Sequence, residues 1–379
     1  MKLAIPKETA EGEARVAASP ETVKKLLGLG LEVTVEAGAG AGSAISDDHY
    51  AEAGASIAPD SGAALNDADI VFKVGAPDAE QRARMRRGAV LVALLNPLGR
   101  KEDAAAYAAA GIDAFAMELV PRISRAQSMD ALSSQSNLAG YKAVLDAAGE
   151  YHRVLPMMMT AAGSIAPARV FVMGVGVAGL QAIATARRLG AIVSATDVRP
   201  ATKEQVESLG AKFVMVESEE TAAAETAGGY AREMSEDYKR RQAELIAETI
   251  ARQDIVITTA LIPGRPAPTL VTEDMVKTMR AGSVINDLAV EAGGNCPLSE
   301  PGKVVVKHGI TLIGYTNVPS RVAEDASLLY ARNLLAFLTP LIDGETGTLK
   351  IDWEDEIVQG ACLTRDGAVV HPLLKEEGA

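Results

Sequence analysis

The sequence predicts an α/β protein with two parallel-sheet domains joined by two long helices. Three observations support this fold class. Short apolar runs alternate with helical patterns, the runs form two separate series, and two of the helical patterns are unusually long. Strands that alternate with helices form βα units, whose strands pair mainly in parallel. The length of 379 residues fits two domains of ~100–200 residues each.

The two series of apolar runs are separated near residue 130. The first series predicts the strands KLAIP, LEVTVEAG, DIVFKVG, AVLVALL and IDAFAM. A helix is predicted after the first of them, because Ser19 is a favourable N-cap residue and Pro20 suits the first turn. The second series predicts the strands RVFVMG, AIVSATD, KFVMV, DIVITTA, SVINDLA and ITLIG.

The two long helical patterns span residues 128–151 and 320–342 and are predicted to join the domains. If the second helix returns the chain, the C-terminal tail packs back on the first domain. We therefore predict a discontinuous first domain, residues 1–127 plus 338–379, and a second domain, residues 128–337.

Two further segments carry specific predictions. The tail segment EIVQGACLTRDGAVVHP predicts a hairpin with its turn at Arg365, Asp366 and Gly367. The charged stretch at residues 217–245 predicts a solvated loop that runs into an exposed helix, and the alternative is a mobile lid.

Composition excludes several classes of protein. The net charge of −13 argues against nucleic acid or an anionic membrane surface as a partner. The two cysteines, Cys296 and Cys362, give no metal-ligand spacing and fit a reducing compartment. Apolar runs such as VLVALL are far shorter than the ~18–20 residues of a membrane span, and the N-terminus lacks a signal-peptide core.

The segment ARVFVMGVGVAGLQAIATARRLGAIVSATDVR, residues 168–199, contains a GxGxxG motif. Gly174, Gly176 and Gly179 follow a predicted strand and open a helix. In Rossmann-like folds the first glycine permits a tight turn, the second lets a pyrophosphate approach the backbone, and the third lets the helix pack closely on the strand. The helix N-terminus supplies N–H groups for phosphate. The motif predicts a dinucleotide-binding domain.

Asp197, at the end of the next predicted strand, favours NAD over NADP as the bound dinucleotide. A carboxylate at this position accepts the ribose hydroxyls and would repel a 2′-phosphate. Arg199 and Lys203 follow closely, and either of them could meet a phosphate. NAD(H) is the predicted cofactor, with NADP(H) as the open alternative.

The distribution of histidines argues against ordinary dehydrogenase chemistry. Reduction of a carbonyl or an imine requires an acid or base, often His, beside the substrate. None of the four histidines follows the C-terminal end of a predicted strand. They are His49, His152, His308 and His371. Asp287 does end a predicted strand, but it suits a turn-capping role at least as well. Hydride transfer between two nicotinamide rings requires no such group.

Several segments resemble the NAD(H)-binding component (domain I of the alpha subunit) of proton-translocating NAD(P) transhydrogenases. They include MELVPRISRAQSMDALSSQSNLAGY, MGVGVAGLQAIATARRLGA, TDVR, AGGYA, ITTALIPGRPAP and DLAVEAGGNCPLSEPGK. The resemblance covers essentially the whole chain. It implies two Rossmann-like domains with an NAD-binding cleft between them.

The predicted fold is also similar to that of alanine dehydrogenases, which share Arg15 and Lys73. These two residues could hold an anion or could be surface charges. Alanine dehydrogenases carry a histidine at the end of the strand written here as AVLVALLNPL, where this sequence has Asn96 nearby. This difference weakens the alanine dehydrogenase interpretation.

The resemblance implies that the polar loop PRISRAQSMDALSSQSN grips the nicotinamide ring of NAD(H). Arg122, Gln127, Asp130 and Ser133 match the ring-holding positions of the family. A carboxamide needs both donors and acceptors, which these four side chains supply together. Asp130 could also orient Arg122 through a charge-assisted bond. The alternative interpretation is a cluster of helix-capping residues, which we favour for Ser124 and Ser128.

Further contacts with the nucleotide follow only from the resemblance. The matching positions are Val177, Asp197, Val198, Arg199, Gly229, Tyr230, Gln242 and Leu261. Gly229 and Tyr230 would place the charged stretch as a loop that closes on the nucleotide. Leu261 could instead be a core residue, and Gln242 could be a solvated helix residue.

The implied function is hydride exchange between NAD(H) on this chain and NADP(H) on a partner subunit, coupled to proton movement across a membrane. The chain would be a separate first portion of the alpha subunit. It would form a homodimer and lie peripherally on the cytoplasmic face, bound to membrane-spanning subunits. The alternatives are an alanine-type amino-acid dehydrogenase and a non-enzymatic NAD-binding regulator.

Overall fold

The computed structural model describes residues 1–217 and 235–374 and divides the chain into two compact units. Unit 1 consists of Met1–Gln135 and Pro319–Ala379, and unit 2 consists of Ser136–Val318. The strands are β1 (Lys2–Ile5), β2 (Glu32–Glu36), β3 (Ser56–Ala58), β4 (Ile70–Phe72), β5 (Val90–Ala93), β6 (Asp113–Ala116), β7 (Met158–Thr160), β8 (Gly163–Ile165), β9 (Arg169–Met173), β10 (Ile192–Thr196), β11 (Lys212–Phe213), β12 (Ile255–Thr258), β13 (Val284–Asp287), β14 (Lys303–Lys307), β15 (Ile310–Gly314), β16 (Thr364–Arg365) and β17 (Ala368–Val369).

The helices alternate with these strands, as the sequence predicts for an α/β fold. They are α1 (Pro20–Gly28), α2 (Asp47–Glu52), α3 (Ser61–Leu65), α4 (Ala79–Arg84), α5 (Lys101–Ala110), α6 (Ala131–Glu150), α7 (Val177–Arg188), α8 (Lys203–Ser208), α9 (Glu236–Ile250), α10 (Glu273–Thr278), α11 (Ala323–Leu338) and α12 (Glu356–Ala361). In the part of the chain that the structure describes, no helix is both long enough and apolar enough to cross a bilayer.

Unit 1 contains a six-stranded parallel sheet in the order β3-β2-β1-β4-β5-β6. Its two faces are both buried, as successive residues of β1 illustrate. Leu3 and Ile5 belong to one apolar cluster, whereas Ala4 belongs to another. Because side chains alternate between the faces of a strand, apolar residues at every position require cover on both sides.

Helix α11 packs within unit 1, although its sequence pattern led us to group this segment with the second domain. Its side chains Tyr330, Leu334 and Phe337 lie in the same apolar cluster as Leu3 and Ile5. The hydrophobic contacts of this helix place the division of the structure at residues 318 and 319 rather than near 337.

Unit 2 contains a seven-stranded sheet in the order β11-β10-β9-β12-β13-β15-β14. All the pairs are parallel except β14 with β15. Along β9, Val170 and Val172 join one apolar cluster while Phe171 and Met173 join the other. The strand order reverses at β9 and β12, which is where ligands bind in open α/β sheets.

The tail differs from its prediction in one respect. Residues 356–361 of the predicted hairpin form helix α12 instead of a strand. Asp355 accepts a hydrogen bond from the Ile357 N–H and caps this helix, which explains why the segment is helical. The turn itself is confirmed, because β16 pairs with β17 around Asp366 and Gly367, which both have positive φ angles.

Candidate nucleotide-binding site

The three glycines of the motif form the turn between β9 and α7. Gly174 has φ +99°, and a Cβ atom there would lie 2.5 Å from Thr259 Oγ1. A Cβ at Gly179 would lie only 1.9 Å from the carbonyl oxygen of Gly174. Gly176 is the exposed N-cap of α7, and a Cβ added to it would meet no atom within 4 Å. The turn is therefore tightly packed at its first and third glycines and open at its second.

Residues beyond the motif brace this turn, and no sequence pattern had singled them out. Thr259 Oγ1 donates to the Gly174 carbonyl at 3.0 Å. The fully buried Asn295 accepts from Ala260 N–H at 3.0 Å and donates to Ala260 O at 2.9 Å. These bonds fix the chain that follows β12 beside the glycine turn.

Helix α6 also approaches the turn closely. A Cβ at Gly140 would lie 2.0 Å from the carbonyl oxygen of Ala178, in the first turn of α7. A glycine inside a helix costs about 1 kcal/mol relative to alanine, so it usually has a packing reason. This rule would have identified Gly140 from the sequence, where it lies within SNLAGYKAV.

Asp197 directly follows β10 and lies beside the glycine turn. Its Oδ2 accepts from Val175 N–H at 2.7 Å, and its Oδ1 accepts from Arg199 N–H at 2.9 Å. The Arg199 guanidinium completes an ion pair with the same carboxylate. Burial raises the pKa of Asp197, but the hydrogen bonds from Arg199 and Val175 outweigh it and lower the pKa below its ordinary value. Asp197 is therefore ionised at neutral pH.

The other predicted contact residues of unit 2 occupy different environments. Val177 is the first residue of α7, and Val198 is 82% exposed. Gln242 accepts from Val216 N–H at 2.8 Å, so it ties α9 to the chain after β11 instead of being only solvated. Leu261 is 57% exposed, which excludes the core alternative.

Gly229 and Tyr230 lie outside the described residues, as does most of the charged stretch that contains them. The part of this stretch that is described forms α9, which begins at the N-cap Ser235. Most of its side chains are exposed, as predicted for the helix that follows the loop.

The polar loop of unit 1 surrounds a shallow cavity of about 290 Å³. The cavity is lined by Pro121, Arg122, Ile123, Ser124, Ala126, Gln127, Asp130 and Ser133. The four residues predicted to hold the nicotinamide ring are thus brought together around one opening. Arg122 and Gln127 are exposed, and Gln127 lies on a 3₁₀ helix, Ser124–Met129.

Asp130 and Ser133 form the N-terminal cap of α6. Asp130 accepts from Ser133 N–H at 2.8 Å and from Ser133 Oγ at 2.5 Å. The capping role therefore belongs to this pair, and not to Ser124 or Ser128 as we favoured. Within the described contacts Asp130 bonds to Ser133 rather than to Arg122, so the predicted orientation of Arg122 by Asp130 is not seen.

Other contacts anchor the loop to unit 1. Arg125 makes a bidentate ion pair with Asp355, at 2.7 and 2.8 Å. Asn333 of α11 donates to the Ser128 carbonyl at 2.8 Å and accepts from Ser134 Oγ at 2.7 Å. These bonds hold both ends of the 3₁₀ helix and preorganise the loop.

Arg15 and Lys73 are both buried, so the prediction of surface charges is wrong. Arg15 pairs with Glu13 at 2.6 Å and donates to Gln135 at 2.8 Å. Lys73 pairs with Glu8 at 2.9 Å, with side chains 1% and 4% exposed. Burial raises the pKa of Glu8, an effect that Lys73 partly opposes. Internal carboxylates therefore already engage both cations.

Asp287 organises a turn in the structure. Its oxygens accept from Thr258 Oγ1 at 3.1 Å, from Ala289 N–H at 3.0 Å and from Cys296 N–H at 3.0 Å. The residue is fully buried. These three bonds account for its position at the end of β13 without a role in proton transfer.

The open glycine turn at the reversal of the sheet, with an acidic residue after the neighbouring strand, defines a Rossmann-type α/β protein. The sequence matches two family descriptions, "Alanine dehydrogenase/PNT, N-terminal domain" over residues 4–139 and "Alanine dehydrogenase/PNT, C-terminal domain" over residues 143–372. It is 62% identical over 384 residues to the separate first portion of the NAD(P) transhydrogenase alpha subunit of Rhodospirillum rubrum, with 100% of each chain covered.

Two solved structures are similar over nearly the whole chain. The transhydrogenase from Sinorhizobium meliloti has a TM-score of 0.89 and 55% identity, covering 98% of this chain and 100% of that one. An L-alanine dehydrogenase has a TM-score of 0.81 and 26% identity, covering 99% and 98%. The chain therefore belongs to the alanine dehydrogenase/PNT family, among its NAD(P) transhydrogenase alpha subunits.

Proposed function

We propose that this chain binds NAD(H) in unit 2 and exchanges hydride between it and NADP(H) held on a partner subunit. The observation that carries the proposal is the glycine turn with Asp197 beside it. Gly176 leaves the backbone open at the N-terminus of α7, where N–H groups and the helix dipole favour a pyrophosphate. The ionised Asp197 suits the hydroxyls of an unphosphorylated ribose.

The polar loop of unit 1 is assigned to the nicotinamide ring. Arg122 donates, while Gln127 both donates and accepts, so their side chains match the two halves of a carboxamide. Asp130 and Ser133 shape the opening through their mutual bonds. Positioning of the ring is the main contribution such a loop makes to catalysis, because hydride transfer depends on close alignment of the reacting groups.

Direct transfer between two nicotinamide rings agrees with the state of the candidate acids and bases. Asp287 is fully engaged in a buried turn. His371 bonds to the Gly360 carbonyl, and His308 contacts Glu273. The NAD(H) cofactor supplies the hydride chemistry, and this chain's residues bind and orient it.

We further propose that the chain functions as a homodimer on the cytoplasmic face of a membrane, together with membrane-spanning subunits that couple transfer to proton movement. The β7–β8 hairpin supports a second copy of the chain as partner. Its apolar residues Met157, Met158, Met159 and Ile165 are 40–79% exposed. An isolated two-stranded hairpin is only marginally stable, so cover by another subunit would stabilise it.

The direct test mixes this chain with the NADP(H)-binding component of a related enzyme and measures hydride transfer between bound nucleotides. We expect transfer in the mixture and none from the chain alone. We also expect Arg122→Ala to slow transfer more than it weakens NADH binding. Lack of transfer in the mixture, despite tight NADH binding, would favour a non-enzymatic regulator.

The second candidate function is an alanine-type dehydrogenase, which the similarity to L-alanine dehydrogenase favours. Against it, Arg15 and Lys73 are each paired with a buried glutamate. Ammonia-dependent reduction of pyruvate by the purified chain distinguishes the two functions. We expect none, and a substantial rate would replace the transhydrogenase proposal.

A further inference from the structure

The carboxylate of Asp197 is saturated by hydrogen bonds from its own chain. Oδ2 accepts from Val175 N–H at 2.7 Å and from Arg199 Nη2 at 3.0 Å. Oδ1 accepts from Arg199 N–H and from Arg199 Nε, both at 2.9 Å. An ionised carboxylate offers about four lone-pair sites, so Arg199 alone occupies three of them.

Arg199 also contacts the glycine turn. Its Nη2 donates to the Val175 carbonyl at 3.3 Å, between Gly174 and Gly176. The Arg199 side chain is 48% exposed, whereas that of Asp197 is 6% exposed. The guanidinium thus lies at the surface, immediately beside the group that would meet the 2′ position of a bound ribose.

A guanidinium at this position is the kind of group that accommodates a 2′-phosphate in NADP-binding Rossmann folds. Arginine binds phosphate and carboxylate by the same bidentate geometry, so one guanidinium cannot use that face for both. In this chain the Asp197 carboxylate already occupies it.

We propose that Arg199 is a latent 2′-phosphate ligand that Asp197 holds out of use, so that the Asp197–Arg199 pair, rather than Asp197 alone, sets the preference for NAD(H). This inference rests on the proposed NAD(H) site. Asp197 excludes the phosphate both by its own charge and by neutralising the nearest cation. Removal of the carboxylate charge should therefore create NADPH binding through Arg199, and not merely weaken NADH binding.

The principal variant is Asp197→Asn. The amide is isosteric with the carboxylate, and its oxygen can still accept from Val175 N–H, so the turn keeps its local geometry. The variant removes the charge that holds Arg199. Asp197→Ala provides a second route to the same release if the asparagine amide retains Arg199.

Three double variants locate the gain. Asp197→Asn combined with Arg199→Ala removes the proposed ligand. Asp197→Asn combined with Lys203→Ala removes the other nearby cation, at the start of α8. Asp197→Asn combined with Arg188→Ala is the matched control, because Arg188 is an exposed arginine at the far end of α7, about 16 Å from the glycine turn at 1.5 Å per residue.

The measurement is an equilibrium titration of each variant with NADH and with NADPH. Charge-assisted hydrogen bonds contribute about 1.5–3 kcal/mol, so we expect Asp197→Asn or Asp197→Ala to raise NADPH affinity by roughly 10–100-fold. Arg199→Ala should abolish this gain, while Lys203→Ala and Arg188→Ala should leave most of it.

The outcomes separate this inference from the proposed function. If the unmodified chain binds NADH but neither Asp197 variant gains NADPH affinity, the latent-ligand role is wrong and the NAD(H) site stands. If the gain survives Arg199→Ala and disappears with Lys203→Ala, Lys203 is the phosphate ligand and the inference is overturned. If the unmodified chain binds no NADH, the proposed function and this inference fail together.

Discussion

Replacement of Gly179 by alanine tests whether the glycine turn is as tightly packed as the structure indicates. The added Cβ would lie 1.9 Å from the Gly174 carbonyl oxygen and 2.9 Å from its carbonyl carbon. Contacts shorter than 3.0 Å are essentially never made by a Cβ, so helix and turn must separate by about 1 Å. Both contacting atoms belong to the backbone and cannot rotate away.

The expected cost follows from two opposing effects. Overpacking of this kind destabilises by about 1–3 kcal/mol, and the upper end applies because the backbone must move. Alanine in a helix returns roughly 1 kcal/mol relative to glycine. The net loss is therefore about 2 kcal/mol. For a unit of this size that corresponds to a decrease of roughly 4–8 °C in Tm.

Gly149→Ala is the matched control in the same unit. Gly149 lies in α6, is exposed, and has no atom within 4 Å of the added Cβ. The same chemical change should therefore stabilise by about 0.5–1 kcal/mol. Scanning calorimetry of both variants measures the Tm, and titration measures NADH affinity, which should fall at least about tenfold for Gly179→Ala because phosphate-binding N–H groups move. Equal Tm values and unchanged NADH affinity would refute the close packing.

Three further predictions concern unit 1. Gln127→Ala should lower the hydride-transfer rate at saturation, by about a hundredfold if the ring shifts ~1 Å, with little loss of NADH affinity, whereas Ser124→Ala on the same 3₁₀ helix should change neither; loss of affinity at an unchanged rate contradicts the ring-positioning role. Burial lowers the pKa of His371, so the folded state binds fewer protons and stability should decrease as the pH falls below ~6.5; His371→Gln should reduce the decrease in Tm between pH 7 and 5, and an unchanged pH dependence would contradict this. Lys73→Met leaves Glu8 buried without its partner and should destabilise by about 3–5 kcal/mol in denaturant titrations, while Lys25→Met on the surface should have little effect; equal effects would show that the buried pair is not needed.

The sequence predicted the parallel strands of both sheets because their signal is local. Runs such as RVFVM are apolar at every position, as a strand covered on both faces must be. Strands that lack this pattern were missed: β3 is only three residues long, β14 is partly exposed, and the β7–β8 hairpin is exposed throughout. Exposed strands do not differ from loops in their apolar pattern, so sequence periodicity could not identify them.

Features of the site that depend on distant partners were also outside the reach of sequence patterns. The GxGxxG motif is local, and its three glycines have the packing that the motif predicts. The bracing of this turn by Asn295 joins residues 35 positions apart, and the ion pair of Lys73 joins it to Glu8 in another loop. No local pattern marks such pairs, which is why Lys73 was open to interpretation as a surface charge.

The two sheets share a reversal of strand order but differ in what occupies it. In unit 1 the reversal lies between β1 and β4, and the residues after these strands include Glu8 and Lys73, paired at 2.9 Å and almost fully buried. Glu8 also accepts from Val74 N–H at 2.6 Å, so a backbone donor at this position is already used. In unit 2 the corresponding position is the turn at Gly176, which carries no side chain and has open space above it. A ligand in unit 1 would have to break a buried ion pair at a cost of several kcal/mol, whereas in unit 2 it would meet exposed backbone at a helix N-terminus. The same topology therefore favours dinucleotide binding in unit 2 alone, for reasons that lie in the side chains at the strand ends and not in the fold.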